Sequence, residues 1–457
     1  MRAPKPGQSG VASRMLRHRP RRRALFALGA AFALAITGCT GNTPAASPGV
    51  THSPADPVTG SAAACVPNPQ AVVTEKNTQS TRAMPTALAD EYDAAAVAVF
   101  NQVKVFAPAV IVGVRSPKGT WTKAYGAADL ATGAPATPDM HQRIASITKT
   151  FVGTVVLQLA DQGKLSLDDP IDDYVPNVPN GSHITLRELI TMTSGLPNYS
   201  DNPKWGADFL SDTAAGWTPD RLLADAWAMP TSFAPGSNME YSNTNFILLG
   251  LVIEQVTGQS VGDEIQTRIL DPLRLTATTY PTDAAFPSPH LNGYTLPLTV
   301  YSGADPTSTW VNATDWNPSS TGAAGAMTSR VDDLLTWGRA LGTGQGLLPA
   351  SAQVQRLESF ATSTLGAGEF YGEALMCKDG WIGHNGNMPG YNSMVRYNPQ
   401  TDTTIVVEAT GLDGTGTPPR VFVIEEYAAA LAATAGHPFS PNLVAPDQQV
   451  EGLVPHL

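Results

Sequence analysis

Charge is scarce in this chain of 457 residues: 15% of its side chains are Asp, Glu, Lys or Arg, whereas 42% are hydrophobic. That balance leaves ample material for a sizeable core. Cysteine is scarcer, with only Cys39, Cys65 and Cys377, which allows one internal bridge at most. The eight histidines form no HxxxH-type helical pair, so the sequence argues against metal catalysis. A dinucleotide-type glycine loop is missing as well, and no cofactor is inferred. No repeat recurs at a fixed period, which excludes solenoid and propeller architectures. The apolar run at 24–36 has 13 residues, too few to span a bilayer as a helix, which takes roughly 20.

The N-terminus is where charge of one sign is concentrated. Its first 23 residues carry eight basic side chains and no acidic one, directly before that apolar run. This is the layout of a secretory signal. The following Ile36-Thr37-Gly38-Cys39 resembles a bacterial lipobox, so the reading is a signal peptide at 1–38 and a lipidated Cys39. Anchoring by two acyl chains would place the protein on the outer face of the cytoplasmic membrane. Cleavage near Gly38 with full secretion is the alternative. Loss of residues 1–38 removes eight positive charges, so the net charge of −11 becomes −19. Such acidity argues against nucleic acid as a partner. With Cys39 lipidated, Cys65 and Cys377 remain as a possible disulfide in an oxidising compartment.

Between residues 39 and 85 the chain is rich in Ala, Pro, Thr, Ser and Gly, a composition that offsets little ordering entropy. This reads as a tether. Residues 86–437 read as one domain, and 438–457 as a loose tail. Within the domain, 88–103 reads as a helix, while the β-branched run 109–114 and the segment 119–126 read as a hairpin. Three further strands are expected at 381–384, 391–397 and 403–409, then a closing helix at 421–435. The middle, 184–337, reads as mostly helical. The expected fold is α+β: an antiparallel sheet built from both ends of the domain, flanked by helices, with an all-α lobe.

Three short motifs carry chemistry. Ser146-Ile147-Thr148-Lys149 opens an apolar helix reaching about Gln162, and among nine lysines Lys149 alone has a Ser three residues before it. Residues i and i+3 share a helix face, and desolvation lowers a lysine pKa. Lys149 could therefore take the proton of a nucleophilic Ser146. Tyr241-Ser242-Asn243 stands at the mouth of a second apolar helix. A phenol held between two cations would have a depressed pKa and could act as general base, then acid. Asn243 could orient Lys149 and a substrate amide. The third motif, His384-Asn385-Gly386 followed by Asn387, lies on an expected strand. Gly386 would admit a substrate backbone, and His384 would offer a hydrogen bond or a positive charge to a substrate carboxylate or to Tyr241.

In that order, with separations of 95 and 143 residues, SxxK, YxN and HxG resemble the penicillin-recognising serine hydrolases. The likeness is to the class C β-lactamase and DD-carboxypeptidase branch, which includes esterases and D-aminopeptidases. It covers about 86–435, with family-like phrases at 186–197 (LRELITMTSGLP) and 322–329 (GAAGAMTS). The resemblance implies a β-lactamase/transpeptidase-like fold and an acyl-enzyme on Ser146. Lys149 and Tyr241 would move protons, with Asn243, His384, Asn385 and Gly386 lining the site. The backbone N–H groups of Ser146 and Asn387 would form the oxyanion hole. Two departures stand out: His384 replaces the Lys of class C β-lactamases, and Asn385 replaces the Thr that helps DD-carboxypeptidases bind a terminal carboxylate. The implied substrate is a small peptide, such as a cell-wall peptide, or an ester, with β-lactams as acylating ligands. β-Lactamase activity is the alternative, and a non-catalytic surface binder on the same fold is the alternative of another class.

Overall fold

The β-branched run near residue 110 becomes the central strand of the fold. It forms β1 (Ala109–Ser116), which turns at Pro117-Lys118 into β2 (Gly119–Asp129), with the short β3 (Ala134–Pro135) beyond. The computed structural model describes residues 65–295, 310–360, 368–411 and 423–441, all within the unit 57–457. The expected signal peptide, Cys39, the tether up to residue 64 and the tail from 442 lie outside the described residues.

Four two-residue strands follow before the sheet resumes. β4 (Gln142–Arg143) and β7 (Thr328–Ser329) pair with each other, as do β5 (Tyr294–Thr295) and β6 (Val311–Asn312). The far end of the chain supplies β8 (Phe370–Tyr371), β9 (Met376–Lys378), β10 (Trp381–Met388), β11 (Tyr391–Asn398) and β12 (Thr403–Thr410). The eight-stranded antiparallel sheet runs β3-β2-β1-β12-β11-β10-β9-β8. Strand β1 pairs with β12, Ile111 opposite Glu408, so the two ends of the domain meet at its centre as expected.

Alternation along the strands divides the core. Val110, Val112 and Val114 of β1, with Ile405, Val407 and Ala409 of β12, form one apolar cluster with Tyr92 and Ala96 of α2 (Thr86–Val103) and Tyr427 and Leu431 of α12 (Val423–Thr434). Ile111, Val395 and Val406 point the other way and join the main core. That core is built on α3 (Thr148–Asp161) and α10 (Val331–Thr343), with Phe151 stacked 3.9 Å from Trp337. The helical lobe supplies α4 (Leu186–Ile190), α5 (Pro203–Ser211), α6 (Pro219–Trp227), α7 (Asn243–Thr257), α8 (Val261–Ile265) and α9 (Asp271–Leu273). Helix α11 (Ala350–Glu358) follows α10.

Two boundaries differ from the sequence reading. Residues 65–85, assigned to the tether, are packed on the body. They contain α1 (Pro69–Thr74), they bury Val66, Val72 and Val73 in the main core, and a disulfide joins Cys65 to Cys377. Each buried valine contributes on the order of 1.5–3 kcal/mol, which a composition averaged over the whole stretch conceals. Thr78 adds two hydrogen bonds to the Asp402 carboxylate, from its N–H and its hydroxyl. At the other end Phe439, assigned to the tail, is buried, and the Ser440 N–H donates to Asp379.

Candidate active site

One turn of chain carries the expected nucleophile. Ser146 lies in a 3-10 turn (Ala145–Ile147), not in the α-helix, which begins at Thr148. Ala145 is held at φ +45°, a region costing a non-glycine residue on the order of 1–3 kcal/mol. The surrounding structure holds it there. The Ile144 N–H donates to the Met327 carbonyl, and the Ile144 carbonyl accepts from the Ser393 hydroxyl, both at 2.9 Å. Gly386 of β10 fits directly against this turn: a Cβ there would stand 2.2 Å from Ile144 O and 3.0 Å from Ser146 N.

Lys149 is fully buried on the first turn of α3. Its Nζ lies 2.9 Å from Ser146 Oγ, 2.7 Å from Asn243 Oδ1 and 2.7 Å from the Ala324 carbonyl oxygen. With the Asn243 amide so assigned, the last two partners can only accept. A neutral amine that donates to both keeps its lone pair for the Ser146 hydroxyl. Desolvation pushes the Lys149 ammonium well below its ordinary value, which favours that neutral form. The Tyr241 ring, 4.9 Å from Nζ, pulls toward the charged form, but such a contact contributes only about 0.5–2 kcal/mol.

Tyr241 precedes α7, and its hydroxyl is hydrogen-bonded to Ser146. The expectation of a depressed phenol pKa is overturned. Burial pushes Tyr241 up, and the Ser146 hydrogen bond only partly opposes it. The reason is that the two cations are missing. Lys149 is desolvated, and His384, buried on β10, falls to about 3, first of all through burial. A neutral His384 also corrects the expectation of a positive charge for a carboxylate. Its Nδ1 lies 2.5 Å from the Asn385 carbonyl and its Nε2 3.4 Å from the Tyr371 hydroxyl. It meets Tyr241 only through the ring, at 6.3 Å between centroids.

Asn243 opens α7, and its N–H donates to Asn198 Oδ1 while its side-chain amide donates to Ser200 Oγ. Asn385 is half-buried on β10 and the Asn387 side chain is exposed. The fold thus brings Ser146, Lys149, Tyr241, Asn243 and Gly386 together. Sequence reasoning missed two participants. Ala324 binds Lys149 through a backbone carbonyl, which no side-chain motif can announce, although the GAAGAMTS phrase contains it. Tyr371, buried on β8, packs edge-on against Tyr241 at 6.0 Å and His384 at 5.7 Å, and no spacing marked it. Among the described residues no cluster of His, Cys, Asp or Glu could hold a metal ion.

Comparison with known proteins bears on this arrangement. The family profile described as Beta-lactamase matches residues 94–429. Protein flp of Staphylococcus aureus (strain NCTC 8325 / PS 47) is 30% identical over 321 residues, covering 66% of this chain and 59% of that relative. The chain therefore spans less than two thirds of that relative's length. A putative penicillin-binding protein, PbpX, of Bacillus subtilis is 25% identical over 295 residues, covering 64% and 68%. Among solved structures, a D-stereospecific amidohydrolase from Streptomyces sp. matches with a TM-score of 0.62 at 33% identity, covering 69% of this chain and 94% of that one. The D-amino acid amidase of Ochrobactrum anthropi SV3 gives 0.66 at 23% identity, over 77% and 98%, which is a likeness of fold.

Proposed function

Since this chain belongs to the β-lactamase family of serine hydrolases, we propose that it cleaves D-configured amino-acid amides, esters or short peptides through an acyl-enzyme on Ser146. The observation that carries the reading is the contact of one buried amine, Lys149, with the Ser146 hydroxyl, itself bonded to Tyr241. Lys149 takes the hydroxyl proton as Oγ attacks the carbonyl carbon. The resulting oxyanion is held by the N–H groups of Ser146 and Asn387, each such donor contributing about 10²–10³ in rate. Tyr241 hands its proton to the leaving nitrogen or oxygen as that bond breaks, and Lys149 restores the phenol. Water then attacks the ester carbonyl, and Ser146 regains its proton as the acid departs.

What favours an amide or ester over a free terminal carboxylate is the HxG strand. His384 is uncharged, and Asn385 stands where the carboxylate-binding Thr would be. The Streptomyces neighbour, a D-stereospecific amidohydrolase, supports the D-configuration. The DD-carboxypeptidase reading rests on the same three motifs and comes second, with β-lactam hydrolysis third. The lipobox-like Ile36–Cys39 and the basic, then apolar, N-terminus support export and attachment to the outer face of the membrane.

The test is a substrate panel for wild type and Ser146→Ala: D- and L-phenylalanine amide, a D-Ala-D-Ala peptide, a p-nitrophenyl acyl ester and a penicillin followed by intact mass. Turnover of the D-amide that vanishes in the variant is expected. Preference for the dipeptide would move the reading to a carboxypeptidase. Silence across the panel, with no penicillin adduct, would leave the binder.

A further inference from the structure

Tyr241 touches the two groups that change during the reaction proposed above. Its hydroxyl bonds to Ser146, and its ring lies 4.9 Å from Lys149 Nζ. Attack alters both contacts: Ser146 Oγ, once bonded to carbon, is a poorer acceptor, and Lys149 then carries the proton it has taken. This is also the moment at which the leaving atom needs the phenol proton. What attack leaves unchanged is the packing of the Tyr241 ring on Tyr371 and His384, at 6.0 Å and 6.3 Å between centroids.

The position of Tyr371 is fixed from several sides. It is fully buried, and its backbone pairs with Met376 of β9. Two residues on, the Glu373 carbonyl accepts from Arg356 Nε at 2.9 Å, and Arg356 Nη1 donates to Thr154 Oγ1 at 3.0 Å. Thr154 lies on α3, the helix that carries Lys149. The Glu373 N–H donates to Ser359 Oγ at 2.8 Å, and the Ala374 N–H to the Ile190 carbonyl of α4 at 3.1 Å. The chain after β8 is thereby tied to the same frame as the lysine. At the side chain, the hydroxyl lies 3.4 Å from His384 Nε2. Neutral His384 donates its one ring proton from Nδ1 to the Asn385 carbonyl, so Nε2 keeps a lone pair for the Tyr371 O–H. Tyr371 meets both Tyr241 and His384 edge-on, at 85° and 88°, and such contacts are directional.

We propose that Tyr371 is a positioning residue for proton transfer by Tyr241. Its ring, with that of His384, braces the Tyr241 ring, and its hydroxyl holds His384 in that arrangement. The phenol then meets the leaving atom without first being reoriented. This role rests on the acyl-enzyme chemistry proposed for Ser146 and Tyr241. Loss of the brace should harm an amide, whose leaving nitrogen must be protonated. It should largely spare a p-nitrophenyl ester, whose phenolate departs without a proton.

The experiment compares D-phenylalanine amide with D-phenylalanine p-nitrophenyl ester, which share one acyl group. If the amide is inert, the methyl ester replaces it, since methoxide also leaves only with a proton. The readout is the ratio of the two kcat/KM values, which does not depend on how much of a preparation is folded. Tyr371→Leu is expected to lower the amide-to-ester ratio by about 10², the lower end of what a general acid contributes. Tyr371→Phe keeps the ring and should lower it less. In a Tyr241→Phe background, Tyr371→Leu should change the ratio no further, because it acts through that phenol. An unmoved ratio in Tyr371→Leu, an equal fall in Tyr371→Phe, or a full further fall in the Tyr241→Phe background would each overturn the proposal. Wild type inert toward every one of these substrates would instead sink the acyl-enzyme reading, and the positioning role with it.

Discussion

Gly386 and Ile144 are in such close backbone contact that a Cβ on Gly386 would stand 2.2 Å from the Ile144 carbonyl oxygen. Ile144 is two residues before Ser146, the proposed nucleophile, so this contact sets how near β10 approaches it. Gly386→Ala must push strand and turn apart, because the atom it meets is backbone and cannot rotate away. A displacement of 1 Å can cost 10²-fold in rate, so kcat/KM is expected to fall by about that factor or more. Gly206→Ala is the control: on α5 it meets nothing within 4 Å, and removing a helical glycine should gain up to about 1 kcal/mol with activity intact.

Tyr241→Phe removes the hydroxyl bonded to Ser146 but keeps the ring that packs on Tyr371. If the phenol transfers a proton, kcat should drop by about 10²–10⁴ while the melting temperature changes little. Steady-state kinetics and a thermal scan on the same preparation decide it. A variant with wild-type kcat would remove Tyr241 from the proton path.

Lys149 gives a pH signature with a defined sign. Its folded pKa is depressed by burial, so over the range between that value and 10.5 the unfolded chain holds a proton that the folded chain has lost. Stability then rises with pH in that range. Lys149→Met lacks the group, so the stability of wild type minus variant should increase toward pH 10. Urea titrations across pH would show it, and a flat difference would mean the lysine stays charged in the folded protein. Catalysis by the neutral amine rises with pH for the same reason, and the variant should lose at least 10³ in kcat, as nucleophile and base act as a unit.

His384 titrates in the opposite part of the scale. Burial lowers it to about 3, so between about pH 3 and 6.5 the unfolded chain binds a proton that the folded chain refuses. The stability this residue confers is lost as pH falls through that window, by about 1.4 kcal/mol per unit. Relative to pH 8, wild type at pH 5 should lose about 2 kcal/mol more than His384→Gln. Equal acid sensitivity would show that folding does not depress the His384 pKa, and a smaller loss in wild type than in the variant would show an imidazolium in the folded protein and revive its role toward a carboxylate.

The Cys65–Cys377 disulfide closes a loop across a separation of 312 residues. Constraint of the unfolded chain by so long a loop is worth about 2–5 kcal/mol. Cys65→Ser with Cys377→Ser should lower stability by that order, and kcat at low temperature should hold, since the bridge lies outside the Ser146 contacts. Denaturant unfolding with and without reductant measures the first, and the Ser146-dependent assay the second.

The sequence by itself determined what is local. Spacing i to i+3 places Lys149 beside Ser146 because one turn of helix returns to the same face. The strands near both ends and the helices were legible because alternation and apolar periodicity are written residue by residue. What only the tertiary structure decided is charge and contact between distant segments. Whether Tyr241 lies between cations depends on the desolvation of Lys149 and His384, and burial is a sum over neighbours from α3, α7, β8 and β10. The docking of residues 65–85 depends on three valines and one cysteine finding partners hundreds of residues away. Proximity along the chain fixes geometry over one turn. Proton affinity and long-range pairing depend on how much water the whole fold excludes, and no short stretch encodes that.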